Sequence, residues 1–168
     1  DTLIVFTSDH GEGMAAHQWV VKLSLYENPV SVPLLVSWKG VTPAGVVDTN
    51  HLVSGIDILP TICDYTGVSP PPVTGQSVRP LIESPNLPGR EYVVSELYPD
   101  NKDLSKRGIM VRSARYKYNL FSEGNNPEQL FDMENDPGET VNLVNEAGLE
   151  DVRERHKVWA EGIDGLTN

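Results

Sequence analysis

Apolar residues fall in short runs along this chain, with no long periodic stretch in its first half. Thr2–Thr7, TLIVFT, is continuous, β-branched and aromatic, and stops at Ser8, Asp9 and His10. A run of this kind, bounded by polar residues and glycine, predicts a strand buried on both faces, as in a parallel sheet. Val32–Trp38, VPLLVSW, repeats the pattern and ends at Gly40. The segment between them, HQWVVKLSLYEN, reads as a short helix or an irregular crossover closed by Asn28-Pro29. Strand, crossover and strand is an α/β signature. Between Val53 and Tyr65 the apolar positions Ile56, Leu59, Ile62 and Cys63 approach helical spacing. Pro60 there suits a first helical turn and Gly67 a C-cap.

The character changes after SPNLPGR, Ser84–Arg90, the best candidate linker. EYVVSELY, GIMVRSARYKYNLF and EQLFDM read as short strands separated by polar turns. Met110, Arg112, Tyr116 and Tyr118 do not alternate cleanly, which leaves the register open. Asp136-Pro137-Gly138 has turn chemistry, with a helix start expected after it. Glu146–Gly162 carries Val152, His156 and Trp159 on roughly one face of an amphipathic helix. The pattern thus predicts an α/β part over residues 1–85 and a small α+β part, an antiparallel sheet with a C-terminal helix, over 86–168.

Composition narrows the function. The net charge is −11 over 168 residues, and the pI is near 4.7. Nucleic acid is therefore not an expected partner, because phosphate binding needs a basic face. No apolar run approaches the length of a membrane span. Cys63 is the one cysteine; it cannot close an internal disulfide and reads as a buried structural thiol.

The candidate chemistry lies at the end of the first strand. In open α/β sheets ligands collect at the carboxyl ends of strands. Asp9 and His10 stand there, a carboxylate and an imidazole, both common metal ligands. Asp9 can equally make the local hydrogen bonds of a turn. His17 and Lys22 follow within a dozen residues. A lysine beside a metal can hold a sulfate or phosphate oxygen, and a histidine can donate a hydrogen bond or a proton. Without that context they read as an exposed lysine and a loop histidine. Arg112, Arg115 and Lys117 have two readings as well: a basic rim for a polyanion, or strand residues on a solvated face. His51 and His156 read as structural or exposed.

At this point the chain resembles a known family. TLIVFTSDHGEGMAAHQWVVKLSLYENPVSVPLLVSWKG is similar to the second half of a sulfatase of the alkaline-phosphatase-like superfamily. SGIDILPTICDYTGV, VTGQSVRPLI, RSARYKYNLF and EQLFDMENDPGETVNL resemble further family segments in the same order. The resemblance implies an α/β fold, the C-terminal part of the alkaline-phosphatase-like sulfatase fold, followed by a small α+β subdomain. It implies hydrolysis of sulfate esters on a sulfated small molecule or glycan. It implies that Asp9 and His10 are two ligands of a divalent metal, usually Ca2+. Lys22 would hold the sulfate and the leaving-group oxygen, and His17 would line the substrate pocket. A periplasmic, secreted or lysosomal location goes with the family.

The departures define what else to expect. The formylglycine nucleophile of the family arises in a Cys/Ser-x-Pro/Ala-x-Arg motif, which is absent here; Cys63 is followed by Asp-Tyr-Thr-Gly. The nucleophile and the remaining metal ligands are expected in an N-terminal half that this sequence lacks. A fragment of that kind is expected to be inactive alone and to self-associate through an exposed sheet edge. Calcium prefers oxygen ligands, so His10 also suits Mn2+ or Zn2+. Two alternatives stand beside the sulfatase: a phosphonate monoester or phosphodiester hydrolase of the same superfamily, and a non-catalytic binding domain.

Overall fold

The structure, a computed structural model, describes residues 1–100 and 102–163. The chain divides into two units, one built from Asp1–Asp9 and Val32–Glu91, the other from His10–Ser31 and Tyr92–Asn168. The segment after the first strand thus groups with the second half of the chain, which its place in the sequence does not suggest.

In the first unit, β1 (Ile4–Thr7) pairs with β2 (Leu34–Ser37). The pairing is antiparallel, Ile4 opposite Ser37 and Thr7 opposite Leu34. This corrects the expectation of a parallel pair buried on both faces. Alternation turns Val5, Leu34 and Val36 toward Ile58, Thr61 and Val78. Ile4, Phe6 and Leu35 face the other way and are more than half exposed, at 58%, 59% and 55%. A continuous apolar run states that a strand is hydrophobic; it does not state which strand lies beside it.

Helix α2 (Ile58–Thr66) follows a 3-10 turn, Gly55–Asp57, and ends on Gly67 in the left-handed region at φ +69°. Pro60 sits in its first turn, where no intrahelical N–H is lost. Asp57 is fully buried. It accepts hydrogen bonds from Ser54 N–H (2.8 Å), Gln76 N–H (2.8 Å) and Arg90 Nη2 (2.9 Å). Thr61 donates to the Asp57 carbonyl and accepts from Val78 N–H. The loop carrying Gly75 lies so close that a Cβ there would stand 2.0 Å from the Ile56 carbonyl oxygen. Short helix α3 (Arg79–Glu83) comes next, with Arg79 paired to Asp64 and Glu83.

The second unit is a four-stranded antiparallel sheet in the order β3 (Tyr92–Leu97), β4 (Gly108–Ser113), β5 (Tyr116–Phe121) and β6 (Glu128–Asp132). Helix α4 (Glu150–Gly162) begins with Glu150 and Asp151 at its positive dipole end. It packs Ala160 on Ile109, Val111, Tyr118 and Leu130. Each buried aliphatic side chain there contributes about 1.5–3 kcal/mol. The opposite face carries Met110, Lys117, Asn119 and Phe131, also buried. It is covered by the segment around Tyr26, whose ring meets that of Phe131 at 6.2 Å. Coverage on both faces explains why the central strands do not alternate. No helix start follows the Asp136-Pro137-Gly138 turn; the backbone there stays in turns until α4.

His156 lies inside this unit, fully buried. Its Nδ1 donates to the Val152 carbonyl (2.7 Å), and its Nε2 meets Ser113 Oγ at 2.9 Å. Burial pushes the imidazole below the ordinary histidine range, against the Val152 hydrogen bond, and Arg155 and Arg112 push it further down. A depressed folded pKa means that the unfolded chain takes up the proton first. The stability tied to His156 is thus present above about pH 6.5 and is lost as pH falls toward the folded value. His51, raised by its hydrogen bond to Asp48, works in the opposite sense. His156→Gln is therefore expected to flatten the fall in melting temperature between about pH 7 and pH 5. An unchanged slope would sink the assignment.

Candidate functional site

The turn after β1 carries Ser8-Asp9-His10-Gly11. Asp9 is exposed and its Oδ1 lies 3.4 Å from Ser8 Oγ. Gly11 fits where nothing larger does: a Cβ there would stand 1.9 Å from the Asn28 carbonyl oxygen. Its N–H donates to the Pro29 carbonyl at 2.8 Å. These contacts fix the backbone around half-buried His10.

The two ring nitrogens of His10 have different partners. Nδ1 lies 2.7 Å from the Gly11 carbonyl and Nε2 lies 2.8 Å from Lys22 Nζ. A carbonyl only accepts, so Nδ1 carries the proton. An ammonium only donates, so Nε2 presents its lone pair. A backbone carbonyl holding Nδ1–H while Nε2 faces outward is the usual support of a metal-ligating histidine. His10 Nε2 therefore has the chemistry of one donor to a divalent cation, and Asp9, its neighbour in sequence, carries a carboxylate, a partial donor set by residue type. It is only part: among the described residues no group of three or more His, Cys, Asp or Glu comes together to hold an ion.

Residues 14–18 form a strained loop. Met14, Ala15, His17 and Gln18 all hold positive φ, between 51° and 66°. Each such residue costs of order 1 kcal/mol or more, and strain of this kind concentrates at functional sites. Hydrogen bonds from Ala15 N–H to the Trp19 carbonyl and from Trp19 N–H to the Ala16 carbonyl hold the loop. His17 is exposed and stacks flat on Tyr26, with ring centroids 3.8 Å apart and planes 6° from parallel. Lys22 and His10 are thus brought together, whereas His17 is held by an aromatic partner.

The three basic residues of the β4–β5 hairpin match neither a rim nor a uniformly solvated face. Arg112 is half-buried and donates to the Ser113 and Ala114 carbonyls, and burial holds its pKa below the usual range. Arg115 forks onto Asp132, with Nη2 at 2.6 Å. The Asp132 hydrogen bond raises the guanidinium further, and Arg115 in turn holds the Asp132 carboxyl well below the carboxylate range. Lys117 is the clear correction, with no exposed surface. Its Nζ lies 2.8 Å from Glu139 Oε1 and 3.2 Å from Glu27 Oε2. Glu139, which follows the Asp136-Pro137-Gly138 turn, is buried too, and its Oε2 accepts from Glu27 N–H at 2.6 Å. A charged residue flanked by Tyr116 and Tyr118 was the available signal for burial, but its partners lie far off in sequence.

Comparison with known proteins bears on this geometry. Residues 15–161 match the family described as N-sulphoglucosamine sulphohydrolase, C-terminal. His17 and Lys22 fall inside that match, and Asp9 and His10 precede it. The chain is 35% identical over 162 residues to a Delta 4,5-hexuronate-2-O-sulfatase of Bacteroides thetaiotaomicron, covering 94% of this chain and 33% of that protein. It is 34% identical over 152 residues to human arylsulfatase K, covering 85% and 28%. Among solved structures, a 2-O GAG sulfatase superposes with a TM-score of 0.85 at 33% identity, over 96% of this chain and 36% of that one. The phosphonate monoester hydrolase of Agrobacterium radiobacter superposes with a TM-score of 0.79 at 29% identity, over 99% and 35%. The chain spans about a third of the length of the curated relatives it matches.

Proposed function

The chain belongs to the sulfatase family, as the C-terminal portion of its alkaline-phosphatase-like fold, and from that premise we propose that it serves a sulfate-ester hydrolase. Residues 1–85 would complete the catalytic α/β domain and 86–168 would form its small subdomain. Asp9 and His10 Nε2 would contribute ligands to a divalent cation, Ca2+ on the family pattern. The cation, when bound, neutralises charge on the sulfuryl oxygens. A formylglycine nucleophile would come from the N-terminal region of the full-length enzyme. The pairing of His10 Nε2 with Lys22 Nζ at 2.8 Å carries this reading. Lys22 Nζ donates to the same nitrogen that would ligate the cation, so a cation bound there would turn the ammonium toward an anionic oxygen beside it.

The residues of this chain then have separable tasks. Gly11 and its carbonyl set the His10 tautomer. Lys22, with one N–H on His10, offers its other two to anionic oxygens and would stabilise charge on the departing oxygen. His17, exposed at the strained loop, can donate a hydrogen bond to the substrate. A sulfated uronide is the favoured substrate class, on the strength of the relative named for hexuronate 2-O-sulfate. The exposed Ile4, Phe6 and Leu35 face of the β1–β2 ribbon supports self-association of the isolated chain.

The test uses the full-length enzyme. A 2-O-sulfated unsaturated uronide, an aryl sulfate and an aryl phosphonate monoester are assayed side by side, and bound metal is measured by elemental analysis. Turnover of the sulfates over the phosphonate by about tenfold or more is expected. Asp9→Ala is expected to lower the metal content and turnover together, because removing one ligand-side group typically costs tenfold or more in affinity. Preference for the phosphonate would favour the related hydrolase. Absence of both metal and turnover would favour a binding domain.

A further inference from the structure

Lys117, Glu139 and Glu27 play no part in the chemistry above, yet among the described residues they form an ionic cluster around a fully buried lysine. Lys117 is 0% and Glu139 3% exposed, while the Glu27 side chain, at 36%, closes the cluster from its solvent side. The cluster is also placed to act at a distance. Glu27 opens helix α1 (Glu27–Val30). Its N–H donates to Glu139 Oε2 and its own carboxylate reaches Lys117 Nζ, so both ends of one residue are held. The preceding residue is Tyr26, whose ring stacks on His17 at 3.8 Å and meets Phe131 of β6 at 6.2 Å. Lys22 lies four residues before Tyr26.

Glu139 itself is held against cost. It adopts φ +53°, a left-handed conformation that disfavours glutamate, one residue after Gly138, which could adopt it freely. A solvated turn would not need a buried carboxylate there. The carboxylate closes the one hydrogen bond that fixes the first amide of α1, and Lys117 compensates its charge. Arg112, across from Lys117 in the β4–β5 register, adds positive charge that acts on Glu27 and Glu139.

We infer that Lys117, Glu139 and Glu27 are positioning residues, an ionic clamp built on a buried lysine that seats Tyr26 and thereby fixes His17 toward the substrate. This rests on the sulfatase reading for what His17 faces, and on the structure alone for the clamp. In this role none of the three needs to touch substrate. A clamp of this kind acts on the geometry of the loop and leaves the sheet it is anchored in intact.

The test is a double-mutant cycle in the full-length enzyme, with the aryl sulfate as probe, together with hydrogen–deuterium exchange. Glu139→Gln is expected to lower kcat/KM by about tenfold or more, since small displacements of positioned groups have effects of that size. In a His17→Ala background the same substitution is expected to cost much less, because the residue it acts through is gone. A general loss of stability would cost the same in both backgrounds and would overturn the inference. Exchange of the amides of residues 14–31 is expected to rise while β4 and β5 stay protected; unchanged exchange in 14–31 overturns the clamp whether or not the enzyme is active. Where Glu139→Gln alone fails to fold, Lys117→Met with Glu139→Gln removes both charges at similar volume, and the same two readouts apply. If the wild-type enzyme turns over no sulfate or phosphonate, the functional reading has failed and the exchange result still decides the clamp.

Discussion

Lys22→Ala is expected to lower kcat of the full-length enzyme about 100- to 1,000-fold, the usual effect of deleting one group that stabilises developing anionic charge. Bound metal and melting temperature are expected to stay close to wild type. The size of the effect separates two readings of the same exposed side chain. A lysine on a solvated surface changes stability by about 0.5 kcal/mol or less when replaced, and turnover by less than about threefold. Lys22 is exposed, so solvent exposure favours that bland outcome. Its Nζ, however, sits 2.8 Å from the lone-pair nitrogen of His10, the nitrogen proposed above as a cation ligand. Lys22→Arg keeps the charge and changes its shape, so a partial loss is expected there. Turnover of Lys22→Ala within threefold of wild type would remove Lys22 from the site.

The second half of the fold was legible because each element is punctuated locally. Strands β3 to β6 are short β-branched and aromatic runs between polar turns, and α4 carries Val152, His156 and Trp159 on one face. Gly67 marked the end of α2. What escaped reading depends on partners distant in sequence. Nothing in TLIVFT specifies its antiparallel neighbour. Lys117 reads as solvated until Glu27, 90 residues away, neutralises it together with Glu139. Helix α3 has five residues, too few for a period to emerge. The positive φ values at Met14, Ala15, His17 and Gln18 carry no glycine or asparagine to announce them. For the candidate site, residue types identified His10 and Lys22 as a pair in chemistry; only folding makes them a pair in space.

Asp57→Ala is expected to destabilise the first unit by about 3–5 kcal/mol, the cost of removing one partner from a buried ion pair. Against the 5–15 kcal/mol that holds a typical domain together, that is a large fraction. The substitution strands three donors: Ser54 N–H, Gln76 N–H and the Arg90 guanidinium. They belong to the turn before α2, the loop before α3 and the start of the segment leading to β3, so one carboxylate ties three stretches together. Water is a poor substitute, because Asp57 is 0% exposed. The Gly75 loop also leaves no room beside Ile56. Asp57→Asn keeps one acceptor oxygen and loses the charge, so an intermediate loss is expected. Urea denaturation of the full-length protein, with hydrogen exchange at residues 54–57 and 76–78, measures the effect. The aspartate in SGIDILPT would then be a structural staple of the unit that carries β1. A loss below about 1 kcal/mol would mean that the three donors find other partners and that this motif holds the fold by packing alone.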